Sequence, residues 1–283
     1  MARPTMSSDV KESHNHKVIL ITGASSGFGK ACTSLLATQG HHVYGTSRVT
    51  EFPSVDTASN FPVNIPMDVR DTASIETAVD YILDREGRLD ILVNNAGYGL
   101  AGAIEVTSAE EAMSQFDTNF FGVHSVCRIV LPVMRNQDSG LIVNISSIGG
   151  LITTPFQGFY CASKYALEAY TESLRMEVKP FGIQVTLIEP GDFKTDITKN
   201  RIIAKESSIY EGRQNTAINV ITNDEQNGSD PKDLAVLLAN IIGKKDVRPR
   251  YMIGMFHQKL AAWIKCMLPA SLFEKLIMSY YKI

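Results

Sequence analysis

Tyr160 and Lys164 stand four residues apart in Gly158-Phe159-Tyr160-Cys161-Ala162-Ser163-Lys164, a segment that reads as the opening turns of a helix. That spacing places both side chains on one helical face. A free phenol has a reference pKa of about 10 and exchanges protons poorly near neutral pH, but a neighbouring ammonium favours the phenolate. The pair is therefore a candidate acid/base for making or breaking a C–OH bond. The plainer alternative is a packed ring beside a solvated charge. A second chemical feature lies near the start of the chain, where Gly23-Ala24-Ser25-Ser26-Gly27-Phe28-Gly29 follows the apolar run Lys17-Val18-Ile19-Leu20-Ile21-Thr22. Glycines at 23, 27 and 29 let a backbone turn tightly and approach a pyrophosphate, and the free N–H groups of a helix starting near Gly27 attract its charge. The spacing G-x-x-x-G-x-G differs from the common G-x-G-x-x-G, so an ordinary loop remains the alternative.

These groups need elements to position them. Apolar, β-branched runs at 18–21, 42–46, 63–67, 91–93, 141–145, 184–188 and 251–253 read as strands, and 29–39, 73–86, 108–136, 160–179 and 231–242 read as helices. Alternation of this kind predicts an α/β class chain, a doubly wound parallel sheet of about seven strands with helices on both faces. Gly23, Asn94, Ser147 and Gly191 each follow a strand, and in such sheets ligands lie beyond the carboxyl ends, so these residues are predicted to line one cleft.

Five separated motifs resemble those of the short-chain dehydrogenase/reductases: Thr22 to Gly29, Asn94-Asn95-Ala96-Gly97, Asn119, Ser147, and Tyr160 with Lys164. The resemblance runs closely from Lys17 to Gly191 and points to the branch similar to 17-beta-hydroxysteroid and retinol dehydrogenases. It implies a single-domain Rossmann fold over 17–255 and a nicotinamide dinucleotide held by Gly23, Ser25, Ser26, Gly27, Phe28, Gly29, Ser47, Arg48, Asp68, Val69, Asn95, Ala96, Gly97, Tyr160, Lys164, Pro190, Gly191 and Thr195. By the same resemblance Asn119, Ser147, Tyr160 and Lys164 are catalytic. Tyr160 acts as proton donor, Lys164 bonds the nicotinamide ribose, Ser147 holds the carbonyl oxygen and Asn119 holds a water joining Lys164 to solvent. The thirteen-residue step from Ser147 to Tyr160 suits the family, and Ser146 stays open as the other serine. Asp68 resembles the residue that bonds the adenine amino group, with a helix cap as its alternative role, and Thr195 the one that steadies the carboxamide.

The second strand ends His42-Val43-Tyr44-Gly45-Thr46-Ser47-Arg48, with no carboxylate to bond two ribose hydroxyls. Ser47 and Arg48 instead suit a phosphate monoester, which predicts NADPH/NADP+ over NADH; a solvated Arg48 is the alternative. The stretch 193–230 is polar and irregular and is predicted to be a substrate lid. Over 256–283, Phe256, Leu260, Trp263, Ile264, Met267, Leu268, Leu272, Phe273, Leu276 and Ile277 form an amphipathic pair of short helices around Pro269, able to close a pocket, build an interface or touch a membrane surface. Similar tails in the family point to a bulky hydrophobic carbonyl or alcohol substrate, steroid-, retinoid- or lipid-like.

A net charge of −3 and 20% charged residues offer no basic nucleic-acid surface. Residues 1–16 are polar, without an apolar h-region, and are predicted to be a flexible tail. No stretch offers a membrane span. Four scattered cysteines (Cys32, Cys127, Cys161 and Cys266) argue against a disulfide frame and fit a reducing cytoplasm. The histidines show no metal-ligand spacing, so no metal is expected. The helical patterns at 108–136 and 160–179 are apolar on more than one face, which fits pairing across a dimer axis or a buried core. A carrier-protein-linked ketoacyl reductase and a dinucleotide-binding redox sensor are the alternatives in function; the first would show a basic patch at the pocket mouth, the second a lost Tyr or Lys.

Overall fold

The computed structural model describes residues 16–48, 51–52, 61–205 and 208–283; the tail predicted over 1–16 lies outside them except for His16. β1 (Val18–Ile21) is four apolar residues, all buried, and successive side chains point to opposite sides of the sheet. Val18 and Leu20 join one core and Ile19 and Ile21 the other. A strand apolar at every position must be covered twice, which is why it lies inside the sheet. The other strands are β2 (His42–Ser47), β3 (Val63–Pro66), β4 (Ile91–Asn94), β5 (Leu100–Ala101), β6 (Gly140–Ile145), β7 (Ile183–Pro190), β8 (Ile202–Ile203) and β9 (Arg250–Ile253). Seven form one sheet in the order β3-β2-β1-β4-β6-β7-β9, parallel throughout, while β5 and β8 make a small second pair. In the register Ile19 stands beside Val43 on one side and Ile91 on the other.

Helices α1 (Gly27–Thr38), α2 (Thr72–Glu86), α3 (Ala109–Phe116), α4 (Gly122–Asn136), α5 (Gly158–Val178), α6 (Ile197–Asn200), α7 (Glu211–Gln226), α8 (Pro231–Ile242), α9 (Phe256–Met267) and α10 (Ala270–Tyr281) complete the fold. On one face Ile75 and Ile82 of α2, Val126 and Val130 of α4 and Leu167 and Leu174 of α5 pack on Leu20, Leu92, Ile142 and Val185. On the other, Cys32 and Leu36 of α1 and Leu234 and Leu238 of α8 cover Ile19, Val43, Val93, Val143 and Ile188. The chain is thus a single-domain Rossmann fold, and strand order reverses between β1 and β4, the switch point at which such sheets bind ligands.

Two elements differ from the sequence expectation. The single helix expected over 108–136 is broken: a capping box of Ser108 and Glu111 starts α3, a π turn spans Asp117–Phe121, and α4 follows. The wider turn inserts a residue into the helical ladder, and Asn119 sits in it, buried. The polar 193–230 segment contains α7, whose buried positions include Gln214 and Glu225 beside Ala217, Ile218 and Ile221; a buried face that is partly polar gives no hydrophobic period to detect.

Gly29 sits in the first turn of α1, where an added Cβ would lie 2.3 Å from the Gly23 carbonyl oxygen and 2.8 Å from Ala24 Cα. Those neighbours are backbone and cannot swing aside. Gly29→Ala is therefore expected to lose about 1–3 kcal/mol of stability, read as a lower urea midpoint at unchanged slope.

Candidate active site

The carboxyl ends of β1, β4, β6 and β7 open into a cavity of about 1050 Å³. Ser25, Ser26, Gly27, Phe28, Ser47, Arg48, Asp68, Val69, Asn95, Ala96, Gly97, Asn119, Ser147, Tyr160, Lys164, Pro190, Gly191, Thr195 and Gly23 all line it. Gly29 lies in the close contact of α1 with the turn.

The glycine turn is held from behind. Thr22 Oγ1 accepts from the amides of Asn95 and Ala96, each at 2.9 Å, and Asn95 Nδ2 donates to the carbonyls of Thr22 (2.9 Å) and Gly23 (3.0 Å). Gly23 and Gly27 have φ of +66° and +50°, a region that disfavours any side chain. Ser26 is the N-cap of α1 but makes no side-chain cap bond, which leaves the amides of that first turn facing the cavity for an anion. Thr195 lies against Gly27, 3.3 Å from where its Cβ would be.

At the end of β2 and β3, Arg48 is exposed and joins Ser47 and Asp68 on the cavity wall. Asp68 is not the cap of α2; Asp71 is, accepting from Ala73 N–H. Asp68 is instead gripped by Arg70, with Nε to Oδ1 at 3.0 Å and Nη2 to Oδ2 at 2.7 Å. Those bonds hold its carboxyl below the usual range. Arg70 also lines the cavity and went unseen in the sequence, because nothing local distinguishes it from a solvated surface charge.

Ser147 follows β6 and turns toward the reacting end. Its Oγ accepts from Gly149 N–H at 2.9 Å, on the side of Gly149 that also meets the Tyr160 ring. Gly149 permits this approach, since an added Cβ would sit 3.1 Å from the Tyr160 ring and 3.2 Å from Ser147 Oγ. Ser146 Oγ is buried without a hydrogen-bond partner among the described residues and lies with Glu168 beside Gly150, whereas Ser147 Oγ lies with the Tyr160 ring beside Gly149. Burial pushes the Tyr160 phenol above its ordinary range, and Ser147 opposes that. The net shift is thus opposite to the depression expected from Lys164, because desolvation of the phenolate is the largest influence and keeps the phenol protonated.

Lys164 is 7% exposed. Its Nζ donates to the Ile145 carbonyl at 2.9 Å, and burial lowers its pKa to about 8, with Glu168 acting in the opposite direction. Asn119 is engaged with the Tyr98 backbone: Oδ1 accepts from Tyr98 N–H at 3.1 Å, and Nδ2 donates to Tyr98 O at 3.0 Å and to Ser163 Oγ at 3.3 Å. It thereby ties α4's π turn to the strand-end loop and to α5. Cys161, next to Tyr160, is fully buried and serves packing.

The far wall carries a polar cluster that sequence reading passed over. Glu225 of α7 pairs with the buried Arg201 and accepts from Thr198 Oγ1 at 2.5 Å. Asp192 accepts from Gln258 of α9, and Asp224 from Tyr280 of α10 at 2.9 Å. Burial and then the Asp224 and Glu225 carboxylates raise Asp192 to about 7. Among the described residues neither Asp192 nor Asp224 forms an ion pair. Asp192 directly follows Gly191, a position the sequence could have flagged.

His16, His42 and Glu86 also come together, beside the amino end of β2 and remote from the strand ends that form the cavity. The two imidazoles stack at 3.8 Å with 17° between planes, and His42 stacks again on Phe61 at 4.2 Å. A metal lies in the plane of each imidazole it binds, and parallel stacked rings share no such point; the group reads as a stacked column with Glu86 accepting from His42 and Tyr44.

A family model described as short chain dehydrogenase matches residues 17–206. A 3-ketodihydrosphingosine reductase of Bacteroides thetaiotaomicron is 42% identical over 270 residues, covering 94% of this chain and 98% of that protein. A short-chain dehydrogenase of Streptomyces avermitilis superposes with a TM-score of 0.81 at 33% identity, covering 93% and 98% of the two chains. A short-chain dehydrogenase/reductase of Burkholderia phymatum, solved in complex with NAD, gives 0.72 at 27% identity over 83% of this chain and 88% of that one.

The different surroundings of the two serines set a test. Ser147→Ala is expected to lower kcat by roughly 10²–10³, the scale for losing a donor at a developing oxyanion, while Ser146→Ala costs less than about tenfold. Steady-state rates of the two variants decide it, and equal losses would reverse the assignment.

Proposed function

Because the chain belongs to the short-chain dehydrogenase/reductase family, we propose that it is an NADP(H)-dependent reductase of a long-chain lipid ketone carrying an amino group beside the carbonyl, the substrate chemistry named for its Bacteroides relative. One observation carries this reading. One cavity is lined by Ser147 and Tyr160, by the carboxylates Asp192 and Asp224, which form no ion pair among the described residues, and by apolar Ile152, Ile221, Ile264, Phe273 and Ile277. A ketone, an ammonium and an alkyl chain would each find a matching surface there.

The glycine turn fits a dinucleotide: Gly23 approaches Ala96 so closely that a Cβ would lie 2.8 Å from its Cα, and the uncapped start of α1 offers amides to a pyrophosphate. Ser47 and Arg48, with no carboxylate at the end of β2, support NADPH over NADH. The bound cofactor supplies hydride. Tyr160 Oη then gives its proton to the alkoxide; burial keeps that phenol protonated until the alkoxide, the stronger base, develops. Ser147 orients the carbonyl oxygen at the same point. Lys164 holds a positive charge beneath both, anchored on Ile145, and Asn119 braces the loop and helix between them.

The C-terminal helices bear Phe256, Trp263 and Met267 on their outer side, 76%, 65% and 79% exposed, and this face is the proposed site of peripheral membrane contact for entry of a lipid substrate. No helix among the described residues is long and apolar enough to cross a membrane. Exposed Met113, Phe121 and Met176 near α4 and α5 support a homo-oligomer through those helices. Cys32, Cys127, Cys161 and Cys266 are all unpaired, in keeping with a cytoplasmic location.

The deciding assay follows NADPH oxidation with a long-chain 2-amino-3-ketone and with its analogue lacking the amine, using Tyr160→Phe as the blank. Turnover of the amino ketone, lost in Tyr160→Phe, is expected; no turnover of either ketone would overturn the reading. Asp192→Asn is expected to raise KM for the amino ketone about tenfold or more and to leave the analogue within about twofold, as for loss of one charged hydrogen bond. Since Asp192 ionises as pH rises through about 7, KM for the amino ketone should fall across that interval more than KM for the analogue. Ser47→Asp is expected to move the NADPH/NADH preference toward NADH by at least about tenfold; an unchanged ratio would make Arg48 a mere surface charge.

A further inference from the structure

Behind Lys164, on the side away from the cavity, lies a group of buried charges that the mechanism above does not use. Glu168 follows Lys164 by one helical turn on α5, Glu189 stands in β7 just before Pro190, and Arg250 opens β9. Glu168 is 6% exposed and Glu189 0%. Arg250 Nη1 lies 2.9 Å from Glu189 Oε1, while Nη2 lies 3.5 Å from Glu168 Oε2 and 2.5 Å from Glu172 Oε1. Arg175, also near, spends its guanidinium on the carbonyls of Val185 at 2.9 Å and Pro249 at 3.0 Å. One guanidinium therefore serves three carboxylates, two of them buried. Glu168 and Glu189 thus meet at one guanidinium, their oxygens otherwise lack hydrogen-bond partners among the described residues, and burial raises both above the carboxylate range. Neighbouring buried carboxylates cannot both ionise cheaply, so the pair shares a proton.

Lys164 needs a counter-charge. The Ile145 carbonyl is a dipole, and Glu168 is the charge that favours its ammonium against burial. Ser146 and Glu168 come together beside Gly150, whose Cβ would lie 2.9 Å from Ser146 Oγ and 3.1 Å from Glu168 Cγ.

We propose that Glu168 is a positioning residue for Lys164, holding it as the ammonium, and that Glu189 and Arg250 regulate how much negative charge Glu168 presents. The shared proton limits that charge at neutral pH. Loss of the proton on going alkaline strengthens Glu168 where Lys164 would otherwise discharge. The inference rests on the reductase reading for its catalytic consequence, not for the charge coupling itself.

The coupling is read without turnover by competitive amine labelling of Lys164 against pH, with peptide mass spectrometry, in the full-length protein. E168Q is expected to lower the Lys164 midpoint by about one pH unit, the scale for removing an adjacent opposite charge. E189Q, which frees Glu168 of its proton-sharing partner, is expected to raise it. E172Q, which removes the exposed partner of Arg250, should leave it in place. In turnover the alkaline limb of kcat/KM should move with the labelling midpoint, downward in E168Q and upward in E189Q. A role confined to folding would lower rates at every pH without moving either curve. A Lys164 midpoint unmoved by E168Q overturns the proposal; if E168Q fails to fold, E189Q decides, a rise supporting it and no rise overturning it. A labelling shift in a protein that reduces no ketone would sink the reductase reading and leave the coupling standing.

Discussion

The catalytic side of the molecule depends on how tightly the end of β1 meets the end of β4. Thr22 and Asn95 exchange four hydrogen bonds with each other's backbone and with Gly23 and Ala96, and that knot holds a turn in which Gly23 and Gly27 adopt positive φ. Buried amides must be satisfied, and here a side-chain amide does the work that a strand ladder cannot do at its end. With the turn pinned, α1 starts at Gly27 with its first amides free, and Gly29 lets the helix sit on the turn. The uncapped start of α1 is thus a consequence of packing behind it.

A second constraint is the cost of keeping Lys164 charged inside the protein. Burial lowers it from 10.5 to about 8, worth about 3 kcal/mol at 1.36 kcal/mol per unit. The sign follows from linkage: the folded protein binds this proton more weakly than the unfolded chain, so the penalty is complete below about pH 8 and falls away as pH rises toward 10.5. An ammonium maintained at that cost requires support, which the Ile145 carbonyl and Glu168 supply from two sides. The raised Tyr160 follows from the same desolvation, acting on an anion instead of a cation.

The C-terminal helices close the apolar end of the cavity. Ala262 and Phe273 pack with Ile152 and Leu151 of the turn after β6, and Tyr281 with Ala217 and Ile221 of α7. Gln258 reaches back to Asp192, and Tyr280 to Asp224. One pair of helices therefore supplies both the greasy wall and the hydrogen bonds that hold the carboxylates in place.

The sequence by itself determined the sheet and most of the residues that meet in the cavity at its strand ends, because those signals are local. A run such as Val18 to Ile21 demands burial on both faces, a four-residue step puts Tyr160 beside Lys164, and positive-φ glycines announce their turn. Only the tertiary structure decided what depends on contacts between distant segments. Ser147 meets the Tyr160 ring beside Gly149, while Ser146 lies beside Gly150 with Glu168, over twenty residues on. The π turn at Asn119 and the half-polar buried face of α7 are stabilised by partners on other elements. Burial sets the protonation of Tyr160, Lys164, Glu168 and Glu189, and burial belongs to the assembled fold, since no residue desolvates itself.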